Sequence, residues 1–173
     1  MLRNSPRLYA YIMGQDDPKK CSANKLVKLN LAIPLYRRSQ IPKGALILDP
    51  SAEKLLTPSD RETALKNGIV VIDCSWKNIQ TIFSSPTEFC RKLPILLPAN
   101  PINYARAGML SSLEAFSGSL YILGFKSESQ DMLRIFKWAP HFVELNREPL
   151  EAYAQATNEK QLISLIGEFF PHI

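Results

Sequence analysis

The chain has 173 residues, 46% hydrophobic and 21% charged, a composition that supports a folded core and excludes global disorder. No run reaches the roughly 18 apolar residues of a membrane span, the first residues lack the apolar stretch of a secretory signal, and three scattered cysteines with two histidines make neither a disulfide framework nor a zinc site. The net charge of +5 is uneven: residues 1–93 carry 15 Lys/Arg against 8 Asp/Glu, net +7, and residues 94–173 carry 6 against 8, net −2. A metal-free, cytoplasmic protein with no membrane association is expected, and its basic front half suits either a polyanionic partner or a solvated surface.

Residues 7–13, rich in Leu, Tyr and Ile, predict a first strand. A polar loop, QDDPKKC, follows, and Ser22 is placed to cap a helix running through Leu29. Residues 45–48 predict a second strand, stopped by Asp49-Pro50. Ser59 and Glu62 form an S-x-x-E box opening a helix that Gly68 closes. The β-branched run 69–73 suits a strand buried on both faces, and a further helix is expected from Trp76 to Phe83. Strands alternating with helices predict a parallel sheet, so the fold class is α/β. After the proline-rich stretch 94–101 the signals turn helical. Residues 110–123 end at Gly124, residues 127–138 open on Ser127 with Gln130, residues 144–157 follow, and residues 158–170 open on Asn158 with Gln161. Two domains are expected, an α/β domain over 1–93 and an all-helical one over 94–173.

The seven glycines are nowhere grouped, which excludes a G-x-G-x-x-G loop and a Walker A motif. No nucleophile elbow accompanies His141 or His172. What remains is a set of polar loops at predicted strand ends, 15–22, 49–51 and 73–76, where open α/β sheets bind ligands. In DPKKCS (17–22), two lysines and a hydroxyl precede a helix start, an arrangement that serves either an anion or an ordinary capped turn. Asp73 either caps the next helix or contributes chemistry. Trp76 reads as a core aromatic, and Cys21 and Cys74 as small buried side chains with no base beside them.

Seven segments occur in order along nearly the whole chain: DPKKCS (17–22), LDPS (48–51), LTPSDRE (56–62), VIDCSW (71–76), ANPINYAR (99–106), LSSLEA (110–115) and a tryptophan at 138 followed by ELNREPLEAY (144–153). Each is weak alone; jointly they are specific. The chain thereby resembles the family of small-subunit rRNA aminocarboxypropyltransferases, which act late in ribosome assembly, and it reads as an archaeal member. Ala23, Pro98, Ala105, Ala107 and Ser112 depart from the family's more usual Gly or similar, Ala, Gly, Pro and Cys. These differences concern loop detail and leave the Asp, Trp and Pro-Lys-Lys elements intact.

The resemblance implies a fold related to the knotted SPOUT methyltransferases, with the helical domain threaded through a loop of the parallel-sheet domain in a deep trefoil knot. It implies S-adenosylmethionine held in a cleft between the halves, largely by backbone groups. Carried over by position, the adenine packs among Leu48, Pro50, Trp76, Leu93, Leu96 and Leu110, with Gly108 adding a backbone contact. The ribose meets the Ile72 backbone, and Ser22 with the amides near Ser111 and Ser112 holds the carboxylate. Asp73 is the candidate base or orienting group for N3 of a modified pseudouridine, N1-methylpseudouridine. Lys19, Lys20, Lys25, Arg61, Lys66 and Arg106 are the candidate contacts to rRNA or a pre-ribosomal particle, and the protein is expected to be a monomer. Two rival readings are a methyltransferase of the same fold and a non-catalytic RNA-binding assembly factor.

Overall fold

The computed structural model describes residues 4–14, 21–73 and 88–173. The expected helix from Trp76 to Phe83 lies outside them. The described residues divide into two compact units, one formed by Met1–Lys54 and Glu62–Lys92, the other by Leu55–Arg61 and Leu93–Ile173.

The first unit is a five-stranded sheet. Its strands are β1 (Leu8–Ile12), β2 (Ile33–Leu35), β3 (Leu46–Leu48), β4 (Ile69–Asp73) and β5 (Cys90–Arg91), in the order β2-β1-β4-β3-β5. Every pairing is parallel, with Leu8 opposite Ile69 and Leu46 also opposite Ile69 on the other side. The central strands are buried on both faces, as the unbroken apolar runs LIL and IVVID require. Tyr9, Leu35, Ala45, Ile47, Val70 and Cys90 form one core cluster. Helix α1 (Ser22–Lys28) packs on β1 and contributes the fully buried Ala23 and Leu26. Helix α2 (Arg61–Asn67) stops at Gly68, whose φ of +90° and whose closeness to Tyr9 and the Arg7 carbonyl exclude any side chain: an added Cβ would lie 2.6 Å from Tyr9 Cε2.

The α/β class and parallel sheet match the sequence reading; particular boundaries do not. Local pattern predicts neither β2 nor β5, because Pro34 disfavours a strand and two residues give no period to read. The turn before α2 closes through Thr57 N–H donating to Asp60 Oδ2 at 3.1 Å, so the box lies two residues earlier than Ser59–Glu62.

The second unit is helical. It contains α3 (Ser112–Ile122), α4 (Lys126–Met132), α5 (His141–Leu145), α6 (Arg147–Ala154) and α7 (Glu159–Phe169). Helix α3 is its axis, buried at almost every position because α4 and α6 pack on it. Small residues permit the close approach: the Ser117 and Ser129 hydroxyls meet at 2.9 Å, and Ser129 Oγ donates to the Ser117 carbonyl. Asn158 caps α7 as expected, its Oδ1 accepting from Gln161 N–H at 2.8 Å. Helix α4 instead follows Phe125 with no cap from Ser127, and it tightens into a 3-10 turn at Leu133–Ile135. The single helix expected over 144–157 is two, α5 and α6, because Pro149 in the first turn of α6 has no N–H to give to the Leu145 carbonyl.

Candidate active site

The strand order changes direction between β1 and β4. The chain leaving β1 leads to β2 on one side, and the chain leaving β4 leads to β5 on the other. In open parallel sheets the crevice outside the carboxyl ends of two such strands is where ligands bind. Asp73 sits there, half-buried, as the last residue of β4 opposite Ile12 of β1, and its carbonyl accepts from Met13 N–H at 3.3 Å. Its Oδ2 accepts a hydrogen bond from the Cys21 thiol at 3.0 Å. Burial, reinforced by the neighbouring Asp73 carboxylate, pushes the Cys21 thiol up to about 12, so it stays protonated and remains a donor at neutral pH. Cys21 is therefore buried as expected, but it is a polar partner of Asp73 and not a passive apolar filler.

One strand over, Asp49 follows β3. It is 4% exposed; Oδ1 accepts from Ser51 N–H at 2.8 Å and Ser51 Oγ at 2.6 Å, and Oδ2 is buried without a hydrogen-bond partner. An unsatisfied buried carboxylate oxygen is costly, so this strand end has acceptor capacity that the fold itself does not use. Ser22 is buried at the start of α1, Leu48 is buried, Ile72 is half-buried and Pro50 is exposed. Trp76, Lys19 and Lys20 lie outside the described residues.

In the helical unit the remaining candidates ride on one loop, 93–112. Glu114, fully buried in the first turn of α3, anchors it. Its Oε1 accepts from the amides of Ala99 (2.6 Å) and Asn100 (3.0 Å), and its Oε2 accepts from Asn100 Nδ2 and Ser111 N–H, both at 2.8 Å. Asn146 grips Leu97 as a strand would, taking its N–H at 2.7 Å and donating to its carbonyl at 2.8 Å. Tyr153 hydroxyl donates to the Ile95 carbonyl at 3.1 Å. The loop closes through Gly108 N–H onto the Leu96 carbonyl at 2.9 Å, with Gly108 at φ +77°.

The geometry gives each remaining candidate its local surroundings. The Ser111 amide is given to Glu114 and the Ser111 hydroxyl caps α3, so both serve the loop. Leu96 is fully buried in the helical core, where a Cβ on Gly118 would stand 3.0 Å from its Cδ1. Leu110 is buried, Leu93 is half-buried, and Ser112 opens α3. Arg61 is occupied by its own unit: Nη1 donates to the Leu123 carbonyl at 2.5 Å, and the guanidinium lies 3.9 Å over the Phe125 ring. Lys66 and Arg106 are exposed and Lys25 is half-buried.

Comparison with known proteins decides the relationship. A family model described as "Ribosome biogenesis protein, C-terminal" matches residues 46–170. The 16S rRNA aminocarboxypropyltransferase of Methanocaldococcus jannaschii is 44% identical over 165 residues, covering 95% of this chain and 96% of that protein. The protein of the same name from Methanosarcina mazei is 42% identical, covering 94% of each. The chain belongs to the 16S rRNA aminocarboxypropyltransferase family. A solved member, the SAM-dependent rRNA:acp-transferase Tsr3 from Vulcanisaeta distributa, aligns with a TM-score of 0.83 at 36% identity, covering 99% of this chain and all of that one.

Within this 16S rRNA aminocarboxypropyltransferase family member, sequence reasoning singles out Asp73 but misses its partner Cys21, the buried Asp49, and the clamp of Glu114, Asn146 and Tyr153. All five lie inside the motifs quoted above. Their roles rest on partners distant in the chain, which no local pattern encodes.

Proposed function

We propose that this chain is an S-adenosylmethionine-dependent enzyme that transfers the 3-amino-3-carboxypropyl group to small-subunit rRNA during ribosome maturation. The observation that carries this reading is family membership over nearly the whole chain, together with acceptor groups at the carboxyl ends of the neighbouring strands β4 and β3. Those groups fit the cofactor. S-adenosylmethionine has no phosphate, so a glycine-rich loop is not required, and its positive charge suits a site bearing the unused acceptor of Asp49. When bound, it supplies a carbon activated by the sulfonium, with methylthioadenosine as the leaving group.

The chain's own work is positioning and proton handling. Asp73 faces the reacting base and takes or orients the proton that N3 loses, while the Cys21 thiol fixes its carboxylate. The target in this reading is N3 of an N1-methylpseudouridine in an rRNA loop, where an unpaired base is splayed out at low cost. Ser22, Leu48, Pro50, Ile72, Trp76, Leu93, Leu96, Gly108, Leu110, Ser111 and Ser112 hold the cofactor. Lys19, Lys20, Lys25, Arg61, Lys66 and Arg106 meet phosphates. The protein acts as a cytoplasmic monomer with functional domains 1–93 and 94–173, and its chain follows the knotted SPOUT path. Support for that path comes from the chain entering the helical unit twice, at Leu55–Arg61 and again from Leu93.

Mass analysis of small-subunit rRNA nucleosides from cells with and without the gene tests the proposal. One aminocarboxypropylated nucleoside should vanish with the gene. An unchanged nucleoside profile would contradict it.

A further inference from the structure

The basic excess of the front half has a narrow origin. Residues 18–48 contain seven Lys/Arg (Lys19, Lys20, Lys25, Lys28, Arg37, Arg38, Lys43) and no Asp or Glu, whereas the remainder of 1–93 carries eight of each. Part of this segment, residues 28–38, runs through β2, an edge strand of the sheet. Along the same border, Leu29 is 49% exposed, Ile33 46% and Tyr36 63%, and Leu31 is exposed as well. These four are half of the large exposed apolar side chains among the described residues. Scattered exposed apolar groups are ordinary, but four within eight residues, with Lys28 on one side and Arg37 and Arg38 on the other, are not.

The backbone beneath this stripe is ordered. Asn30 turns the chain at φ +57°, and the amides of Leu31 and Ala32 both return to the Leu26 carbonyl, at 2.9 and 3.3 Å. Past β2, Gln40 Oε1 accepts from the amides of Tyr36 (2.8 Å) and Arg37 (3.0 Å), above a 3-10 turn at Arg38–Gln40. The Tyr36 ring is thus presented to solvent from a fixed backbone, which lowers the ordering cost of any contact it makes. Tyr36 follows the carboxyl end of β2. Every strand runs parallel, so it stands at the same end of the sheet as Asp73, two strand spacings of about 4.8 Å away across β1.

We infer that this sheet border, residues 28–38, is an RNA-contact surface that holds an unpaired stretch flanking the target base, with Tyr36 stacking on a base and Lys28, Arg37 and Arg38 meeting phosphates. The inference rests on the rRNA-modifying reading and adds contacts to it that lie outside the reacting site. Stacking on an aromatic flanked by cations is how single strands are held without sequence readout. Two other occupants fit less well. A protein strand added to the edge meets Pro34, which lacks an N–H, in the middle of a strand of three residues. A second copy of this chain brings the positive charges of Lys28, Arg37 and Arg38 against themselves.

The test uses the full chain and an rRNA fragment containing the target loop, with Tyr36→Ala and the double variant Arg37→Gln/Arg38→Gln. RNA affinity is measured over a salt series, beside calorimetry with S-adenosylmethionine. Tyr36→Ala should weaken RNA binding roughly 5- to 150-fold, the worth of one stacked base. The double variant should reduce the slope of log affinity on log salt by about 0.7 for each single-strand phosphate that the variant no longer neutralises. Cofactor affinity should stay within about twofold in both, which also shows that they fold. Unchanged RNA affinity and salt slope in variants that bind cofactor normally overturn the inference while leaving the enzymatic reading intact. A loss confined to binding of the assembled pre-ribosomal particle, with naked RNA bound as before, overturns it in favour of protein docking. Failure of the unaltered chain to bind or modify the fragment overturns the enzymatic reading and this inference together.

Discussion

Asp73→Asn is expected to slow single-turnover modification of the rRNA fragment by about 10²–10⁴, the usual worth of a positioned general base, while cofactor affinity stays within a few-fold. The residue ends a central strand at the switch point, so the substitution keeps shape and most packing. Its Oδ2 is the acceptor for the Cys21 thiol, and an amide in its place either offers its oxygen to that thiol or turns its NH₂ group toward it. Either way the negative charge is lost. A residue that only caps the following helix gives a different result, since Asn caps nearly as well as Asp and turnover would hardly change. A carboxylate that chiefly holds the cofactor gives a third, with affinity and turnover falling together. Cofactor titration beside single-turnover kinetics separates these outcomes, and wild-type turnover in the variant would remove Asp73 from the mechanism.

The second large effect falls on stability. Glu114→Ala strips the acceptor from four donors at once: the amides of Ala99, Asn100 and Ser111, and Asn100 Nδ2. Hydrogen bonds to a charged group contribute roughly 1.5–3 kcal/mol each, and donors left buried without a partner add their own penalty. The four share one carboxylate and are not independent, so the loss is expected to be about 4 kcal/mol in total. For a chain of this size that corresponds to a fall in Tm of roughly 8–16 °C. Glu114→Gln retains one acceptor oxygen and should fall between the two. Thermal unfolding of the three proteins followed by circular dichroism checks the order, and an Ala variant as stable as wild type would show that the loop 93–112 does not depend on this clamp.

The contrast between these two residues explains which features can be read from sequence. Strand 69–73 is legible because its apolar run, its length and its terminal Asp are all local, and it ends where expected. The cap of α7 is legible for the same reason, since Asn158 and Gln161 are three residues apart. The hold of Asn146 on Leu97 is not, because its partner lies 49 positions earlier. Strand β2 is masked by Pro34, which an edge position tolerates and a central one does not.

The site divides along the same line. Asp73 announces itself by ending a buried strand, but Cys21 becomes its partner only when two loops 52 positions apart meet. Glu114 stands three residues after Ser111, which caps α3, a local spacing, but its hold on Ala99 and Asn100 is tertiary. Arg61 reads from sequence as an exposed cation, yet the fold lays it over Phe125 and against the end of α3. Charge counted along the chain locates a basic region; only the packing tells which cations face solvent.

The central claim is that the aminocarboxypropyl chain, and not the methyl group, is transferred to small-subunit rRNA. Incubating the purified protein with the rRNA fragment and S-adenosylmethionine labelled separately in the methyl group and in the amino-acid chain, then analysing RNA and small molecules by mass spectrometry, tests it most directly. The account predicts the amino-acid label in the RNA, the methyl label in methylthioadenosine, and equal amounts of the two products. Methyl label in the RNA with release of S-adenosylhomocysteine would contradict it.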